Sequence, residues 1–242
     1  MKKYLLFIFT GFFVSFNLPA QSRFEIDVHG GYSHPLLEAY GTDVTIGPQL
    51  DRIFVDGQRI LTSDNFGTEN GLTVETYLKY AILKKGQIKG LFNIGYNRLV
   101  SYHDAPGTEI GVRLQSFSLG TGLEINPLST KRFSPSVFGL LRVNYLGGET
   151  FYYAGIDFFK VRPRYGYTAG FNLNYRLNQM LGLYLGFSYS YDNSWGKEAN
   201  EETVDDPHVI VFRDLASPTN GLTSDRRLAY SSYYAGLSFY FK

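Results

Sequence analysis

Eight stretches of this chain alternate strictly between apolar residues and small or polar ones, and a period of two is the period of a β-strand. They cover residues 24–33, 72–82, 90–97, 116–125, 136–145, 165–176, 181–191 and 232–241. In the second, Leu72, Val74, Thr76, Leu78, Tyr80 and Ile82 alternate with Thr73, Glu75, Tyr77, Lys79 and Ala81. In the fourth, Phe117, Leu119, Thr121, Leu123 and Ile125 alternate with Ser116, Ser118, Gly120, Gly122 and Glu124. The fifth is the least regular, because Phe138 and Leu140 fall in its polar series.

The two faces differ in a way that decides which one meets solvent. A water-soluble barrel turns its apolar face inward and covers the outside with charge. Here the polar series are crowded with Gly, Ser, Thr and Asn, small side chains suited to a narrow interior, while the apolar series carry Leu, Ile, Val and Phe with Tyr towards the ends. That predicts an inside-out sheet whose apolar band faces lipid between aromatic girdles. Backbone groups in hydrocarbon need partners, which only helices or a closed sheet supply. Outside the first twenty residues no apolar run approaches the 18 residues or more of a spanning helix. The expected fold is all-β, a transmembrane antiparallel up-and-down barrel of eight strands, or ten if further strand-like segments join it.

Composition narrows the classes further. Charged residues make up 19% of the 242, and the chain has no Cys, which excludes thiol enzymes, zinc fingers and disulfide-stapled modules. A net charge of +1 supplies no basic field for nucleic acid. Residues 1–20 combine Lys2 and Lys3, an apolar run from Tyr4 to Phe16 and Pro19-Ala20, the pattern of a cleavable signal peptide. Residues 21–242 are then the barrel domain.

The connections alternate in length. Lys84–Gln87, Asn126–Phe133 and Asn178–Met180 are short, while His34–Gly71, Ser101–Glu109, Leu146–Arg162 and Asp192–Arg227 are long. Short periplasmic turns and long external loops are the asymmetry of outer-membrane barrels. An even strand number then leaves both termini in the periplasm.

The segment Phe133–Tyr145, FSPSVFGLLRVNY, and the closing Tyr234–Lys242, YAGLSFYFK, resemble strands of the small outer-membrane β-barrel superfamily of the OmpA/OmpX type. The resemblance implies an integral protein of the Gram-negative cell outer membrane, whose C-terminal strand is read by the barrel-assembly machinery. The family usually ends in an aromatic residue. Here Phe241 is penultimate and Lys242 follows.

Several residues are candidates for a site. The polar series place Glu25, Asp27, His29, Glu75, Lys79, Glu124, Arg142 and Arg176 in the lumen, as a charge network that plugs the barrel or, alternatively, lines an ion or proton path. Tyr32, Tyr80, Tyr96, Tyr145, Tyr175, Tyr191 and Tyr233 are the expected girdle. Arg98 has outward parity, pointing either to lipopolysaccharide phosphate or to a register shift. Lys197–His208 gathers carboxylates without the spacing of a calcium loop. Phe151–Phe159 reads as a loop that binds a surface partner or dips into lipid, or as a hairpin extending strands five and six above the membrane, and Arg52–Ile60, with the turn signal Asp56-Gly57, and His208–Arg213 as a protruding sheet or as an extra strand pair that makes ten.

No HExxH, P-loop or Rossmann glycine pattern is present. The near-neighbour pairs His34/Ser33, His103/Asp104 and His208/Asp206 match no catalytic motif. No metal site and no cofactor is expected. The expected partners are outer-membrane lipid and lipopolysaccharide, the assembly machinery and a surface ligand on the long loops, with no nucleic acid. The function this favours is a non-catalytic envelope-structural or surface-interaction role. A narrow channel for ions or small apolar solutes is the alternative, and a lipid A-modifying enzyme the second.

Overall fold

A computed structural model describes residues 23–40, 52–55, 58–61, 66–83, 86–105, 108–152, 155–199, 208–211, 213–217 and 224–241. Eight long strands form the barrel: β1 (Phe24–Leu36), β2 (Asn70–Ala81), β3 (Ile88–Ala105), β4 (Thr108–Ile125), β5 (Phe133–Tyr152), β6 (Gly155–Arg176), β7 (Leu181–Trp195) and β8 (Ala229–Phe241). Each pairs antiparallel with its sequence neighbours, and β1 pairs with β8 (Phe24 opposite Phe241, Leu36 opposite Ala229), so the sheet closes without an edge.

Register fixes the geometry. Tracing paired residues from Phe24 passes Tyr80, Gly90, Leu123, Gly139, Ala169, Tyr189 and Ser231 and returns to β1 at His34. The path has advanced from residue 24 to residue 34, a stagger of ten residues. Eight strands with this stagger must tilt strongly against the barrel axis and enclose a space just wide enough for side chains. The stagger is even, so closing the sheet does not exchange its two faces.

The faces are as the alternation requires. Leu141 is 64% exposed and Leu185 62% exposed, whereas Asn93 and Ser118, on the other parity, are sealed at 0%. Apolar side chains that point away from a polar, buried interior have no stable place in water, and the wall is that of a membrane-spanning barrel. Towards the external end the rule inverts. Leu99, Val112, Leu114, Leu146, Phe159 and Tyr230 point inward there and pack with Phe66 and Ala39 into an ordinary hydrophobic cluster. Where the outside is water again, apolar residues return to the inside.

The strand-like extras do not join the barrel. Arg52–Val55 and Gln58–Leu61 form a separate two-stranded sheet, and Val209–Ile210 lies parallel to β6 at Phe158 and Phe159. The barrel therefore has eight strands, not ten. The stretch from Phe151 to Phe159 is a hairpin extension of β5 and β6, with Phe151 opposite Ile156. Residues 1–20, whose sequence reads as a signal peptide, residues 84–85, Asp56-Gly57 and Lys242 lie outside the described residues.

Candidate functional site: the filled lumen and its cap

Alternate residues of β1, β2, β3 and β4 meet in the lower lumen. Lys79 from β2 lies 2.6 Å from Asp27, 2.5 Å from Glu124 and 3.8 Å from Glu25. Lys89, at the start of β3, lies 2.5 Å from Glu25 and 3.3 Å from Glu124. Three carboxylates thus share two ammonium groups, an arrangement that tolerates burial because each charge has an opposite neighbour. Lys89 carries no clear mark in the sequence because it precedes the regular alternation. Its parity matches Leu91 and Asn93, and extending the odd series by one step would have placed it in the lumen.

A second group sits above. The Tyr77 hydroxyl donates to Glu75 at 2.7 Å, Asn93 donates to the same carboxylate at 3.1 Å, and Arg142 lies 3.2 Å from it. Arg142 also donates to Thr168 at 2.8 Å and to Ser118. The His29 ring stacks on Tyr234 at 4.0 Å between centroids, its Nδ1 lies 2.7 Å from the Tyr184 hydroxyl, and its Nε2 lies 4.0 Å from Glu75. Tyr77, Leu91, Phe138 and Leu140 fill the remaining width with a small apolar cluster. Arg176, expected in the network, stands apart at the lower rim, its guanidinium 4.2 Å from the centre of the Tyr240 ring.

At the external end, the described residues of the last long connection gather on β6 and β7. Asp214 is fully buried and accepts from Arg164 of β6, Nε at 3.0 Å and Nη2 at 3.1 Å, with neither side chain exposed. The Asn193 amide adds 2.8 Å and the Glu198 backbone N–H 3.0 Å to the same carboxylate. Asn193 in turn accepts from the Leu228 N–H and donates to the Arg226 carbonyl. One acidic side chain thus organises three segments of the connection over the barrel. Nothing in the sequence singled it out, since Asp214 lies in an irregular stretch and its partner Arg164 precedes the regular part of its strand.

Beside the cap, Arg227 grips Glu38 through Nε at 2.6 Å and Nη2 at 2.5 Å. These hydrogen bonds hold the Glu38 carboxyl below the usual carboxylate range.

The tyrosines form two levels. Tyr32, Tyr96, Tyr145, Tyr191 and Tyr233 lie towards the external end, and Tyr80 and Tyr175 towards the end that carries the termini. Arg98 points outward without any register shift in β3. The two irregularities of the barrel lie instead at Leu146/Gly148 and Tyr165/Tyr167.

The suggested dyads do not assemble. Ser33 points inward to Ser232 at 2.9 Å, while the His34 ring lies outside against Tyr40. His208 stands 3.5 Å from Asp157, and its sequence neighbour Asp206 lies outside the described residues, as do the side chains of His103 and Asp104. Of the acidic stretch Lys197–His208, residues 200–207 lie outside them too. Among the described residues no three His, Asp or Glu side chains are grouped to hold a metal ion.

No protein-family model matches this chain, and no curated protein does. Among solved structures it is similar to several, three of which illustrate the likeness. Neisserial surface protein A gives a TM-score of 0.47 at 13% identity, covering 91% of this chain and 98% of that one. Ail, the attachment invasion locus protein of Yersinia pestis, solved with the heparin analogue sucrose octasulfate, gives 0.44 at 10% identity, covering 91% and 100%. The outer membrane protein OprG of Pseudomonas aeruginosa gives 0.43 at 12% identity, covering 93% and 99%.

Proposed function

We propose that this chain is an integral outer-membrane barrel with a non-catalytic role, exercised through its external surface and not through its lumen. The observation that carries this reading is the filling of the interior. The ion-paired lower cluster, the Glu75–Arg142–His29 layer, the apolar cluster above the girdle and the Asp214 cap follow one another along the axis. An ion crossing this path would have to break buried charge pairs, each expensive to separate. What the molecule offers the outside is therefore the cap and the hairpins around it, while the wall anchors them in lipid.

The C-terminal strand, with Phe239 and Phe241 outward, suits engagement by the assembly machinery, and residues 1–20 suit an export leader. Planar-bilayer recording tests the closed interior. Folded protein should show no stable conductance steps, and reproducible steps abolished by heat unfolding would move the function to a channel. Replacing residues 197–225 by a short Gly-Ser linker should leave the wall folded and abolish whatever surface adhesion expressing cells display. Unchanged adhesion in cells carrying the linker would overturn the surface role.

A further inference from the structure

Charge is divided between the two ends of the barrel. The four long connections carry eighteen Asp and Glu side chains against eight Lys and Arg. The three short connections, residues 82–87, 126–132 and 177–180, carry no Asp or Glu at all. On them, or on the strand ends beside them, stand Arg23, Lys84, Lys85, Lys89, Lys131, Arg132 and Arg176. Lys89 is held by Glu25 and Glu124 inside the lumen. None of the three connections supplies an acidic side chain to the rest. The end that carries the termini is therefore a cationic rim, and its field attracts an anion from outside the protein.

Two of these cations are held opposite each other. The Arg176 N–H donates to the Arg132 carbonyl at 2.8 Å, and Arg132 Nε donates to the Arg176 carbonyl at 3.1 Å. Two guanidinium groups thus leave the rim from facing positions, where β5 begins and β6 ends, and like charges opposed across a strand pair destabilise it. Arg132 lies 5.0 Å from the Tyr175 ring centre and Arg176 4.2 Å from that of Tyr240, contacts that orient a cation without neutralising it. Lys131 and Arg176 also line a polar cavity of about 20 Å³ that reaches in to Lys89 and Glu25, room for about one water. An anion laid across its mouth relieves the repulsion.

The same turns expose apolar side chains. Leu83 precedes Lys84, Leu128 precedes Lys131, and Met180, 70% exposed, follows Arg176. The lower aromatic level, with Tyr80, Phe133 and Phe241 outward, sets these turns at headgroup depth. A polymer or an acidic protein met in water gives exposed Leu and Met no role. A headgroup layer takes both components, the cations at its phosphates and the apolar side chains among the first carbons of its chains.

We propose that this rim docks on anionic glycerophospholipid of the inner leaflet, with a headgroup phosphate on Lys131, Arg132 and Arg176 and with Leu83, Leu128 and Met180 set between neighbouring chains. The proposal rests on the reading of the chain as an outer-membrane barrel with its short turns inward, and adds the lipid class that the inner rim selects.

Native mass spectrometry of folded protein in neutral detergent micelles, doped with equal amounts of phosphatidylglycerol and phosphatidylethanolamine, counts the lipids retained. Phosphatidylglycerol should be retained in preference, and the preference should fall about fivefold in each of Lys131→Gln, Arg132→Gln and Arg176→Gln. Lys131 is exposed on its turn, so its replacement leaves the wall intact, and Arg132→Lys should keep most of the preference. Replacing Leu128 and Met180 by Ser should weaken both lipids equally. Lys160→Gln, at the external end, should change nothing. Equal retention of the two lipids by the unaltered protein, an unchanged preference in folded Lys131→Gln and Arg132→Gln, or an equal loss in Lys160→Gln would overturn the proposal. So would displacement of the lipid by sn-glycerol 3-phosphate alone, which would assign the rim to a free anion. Sedimentation with peptidoglycan sacculi that the same substitutions abolish, without any lipid preference, would assign it to the cell wall instead. Heat-modifiable gel mobility separates the two readings. A chain that folds but does not discriminate between the lipids overturns this proposal alone, whereas one that inserts into bilayers of neither lipid overturns the membrane reading and the proposal with it.

Discussion

Lys79 shows what a single residue does in this interior. Its ammonium is the shared neighbour of Asp27, Glu124 and Glu25, and all four side chains are buried. Lys79→Met removes the cation and leaves its carboxylates facing one another, a loss of about 3–5 kcal/mol. Reversible urea unfolding in lipid vesicles measures it, and a loss below about 1 kcal/mol would mean the cluster recruits water or ions to compensate. Glu38 offers a pH-dependent counterpart outside the membrane. Its folded pKa is depressed by the Arg227 hydrogen bonds, so the contribution is present above the unfolded value of about 4.3 and fades as pH falls through the folded value. The hydrogen-exchange protection factors of Tyr40 and Leu228, referred to intrinsic exchange at each pH, should therefore fall on acidification below about pH 4 in the native protein and stay level in Glu38→Gln.

At the scale of the strand, the inside-out wall is tested by placing charge on it. Leu141 is the most exposed of the barrel's leucines and points to lipid, so Leu141→Arg should destabilise by about 2–4 kcal/mol if it lies near the midplane. Inside, space is rationed by missing side chains. A Cβ on Gly186 would collide with the Tyr234 ring and with the side-chain amide oxygen of Asn172. Gly186→Ala should therefore push Tyr234 off His29 and lower stability by about 1–3 kcal/mol, read from the same urea transitions. The strands were legible because period two survives wherever one face is lipid and the other a narrow lumen. Even the mixed series of the fifth stretch was informative, since Phe138 and Leu140 do pack inside with Tyr77 and Leu91. Their external extensions were not legible. Above the girdle both faces of β5 and β6 meet mixed surroundings, so Phe151–Phe159 reads the same as a loop or a hairpin. The cap was hidden for another reason: Arg164 and Asp214 are fifty residues apart, and their pairing exists only after the barrel has closed.

For the whole molecule the consequence is a wall whose two faces serve different solvents and a lumen that serves none. Asp214 ties the connection before β8 to Arg164 of β6 and Asn193 of β7, so Asp214→Ala should loosen the cap without opening the ion-paired lower barrel. The expected outcome is faster protease cleavage between residues 196 and 228 in the folded protein, with bilayer conductance still absent. The central claim is that odd and even positions face lipid and lumen, and the absence of Cys from the natural chain makes it directly measurable. Single cysteines placed in turn from residue 117 to 124 on β4, spin-labelled and reconstituted in vesicles, should give oxygen accessibility that rises and falls every second residue. It should be high at 117, 119, 121 and 123, and low to both oxygen and polar relaxants at 118, 120, 122 and 124. High polar-relaxant access at 119 and 123, or accessibility with no two-residue period, would contradict the account.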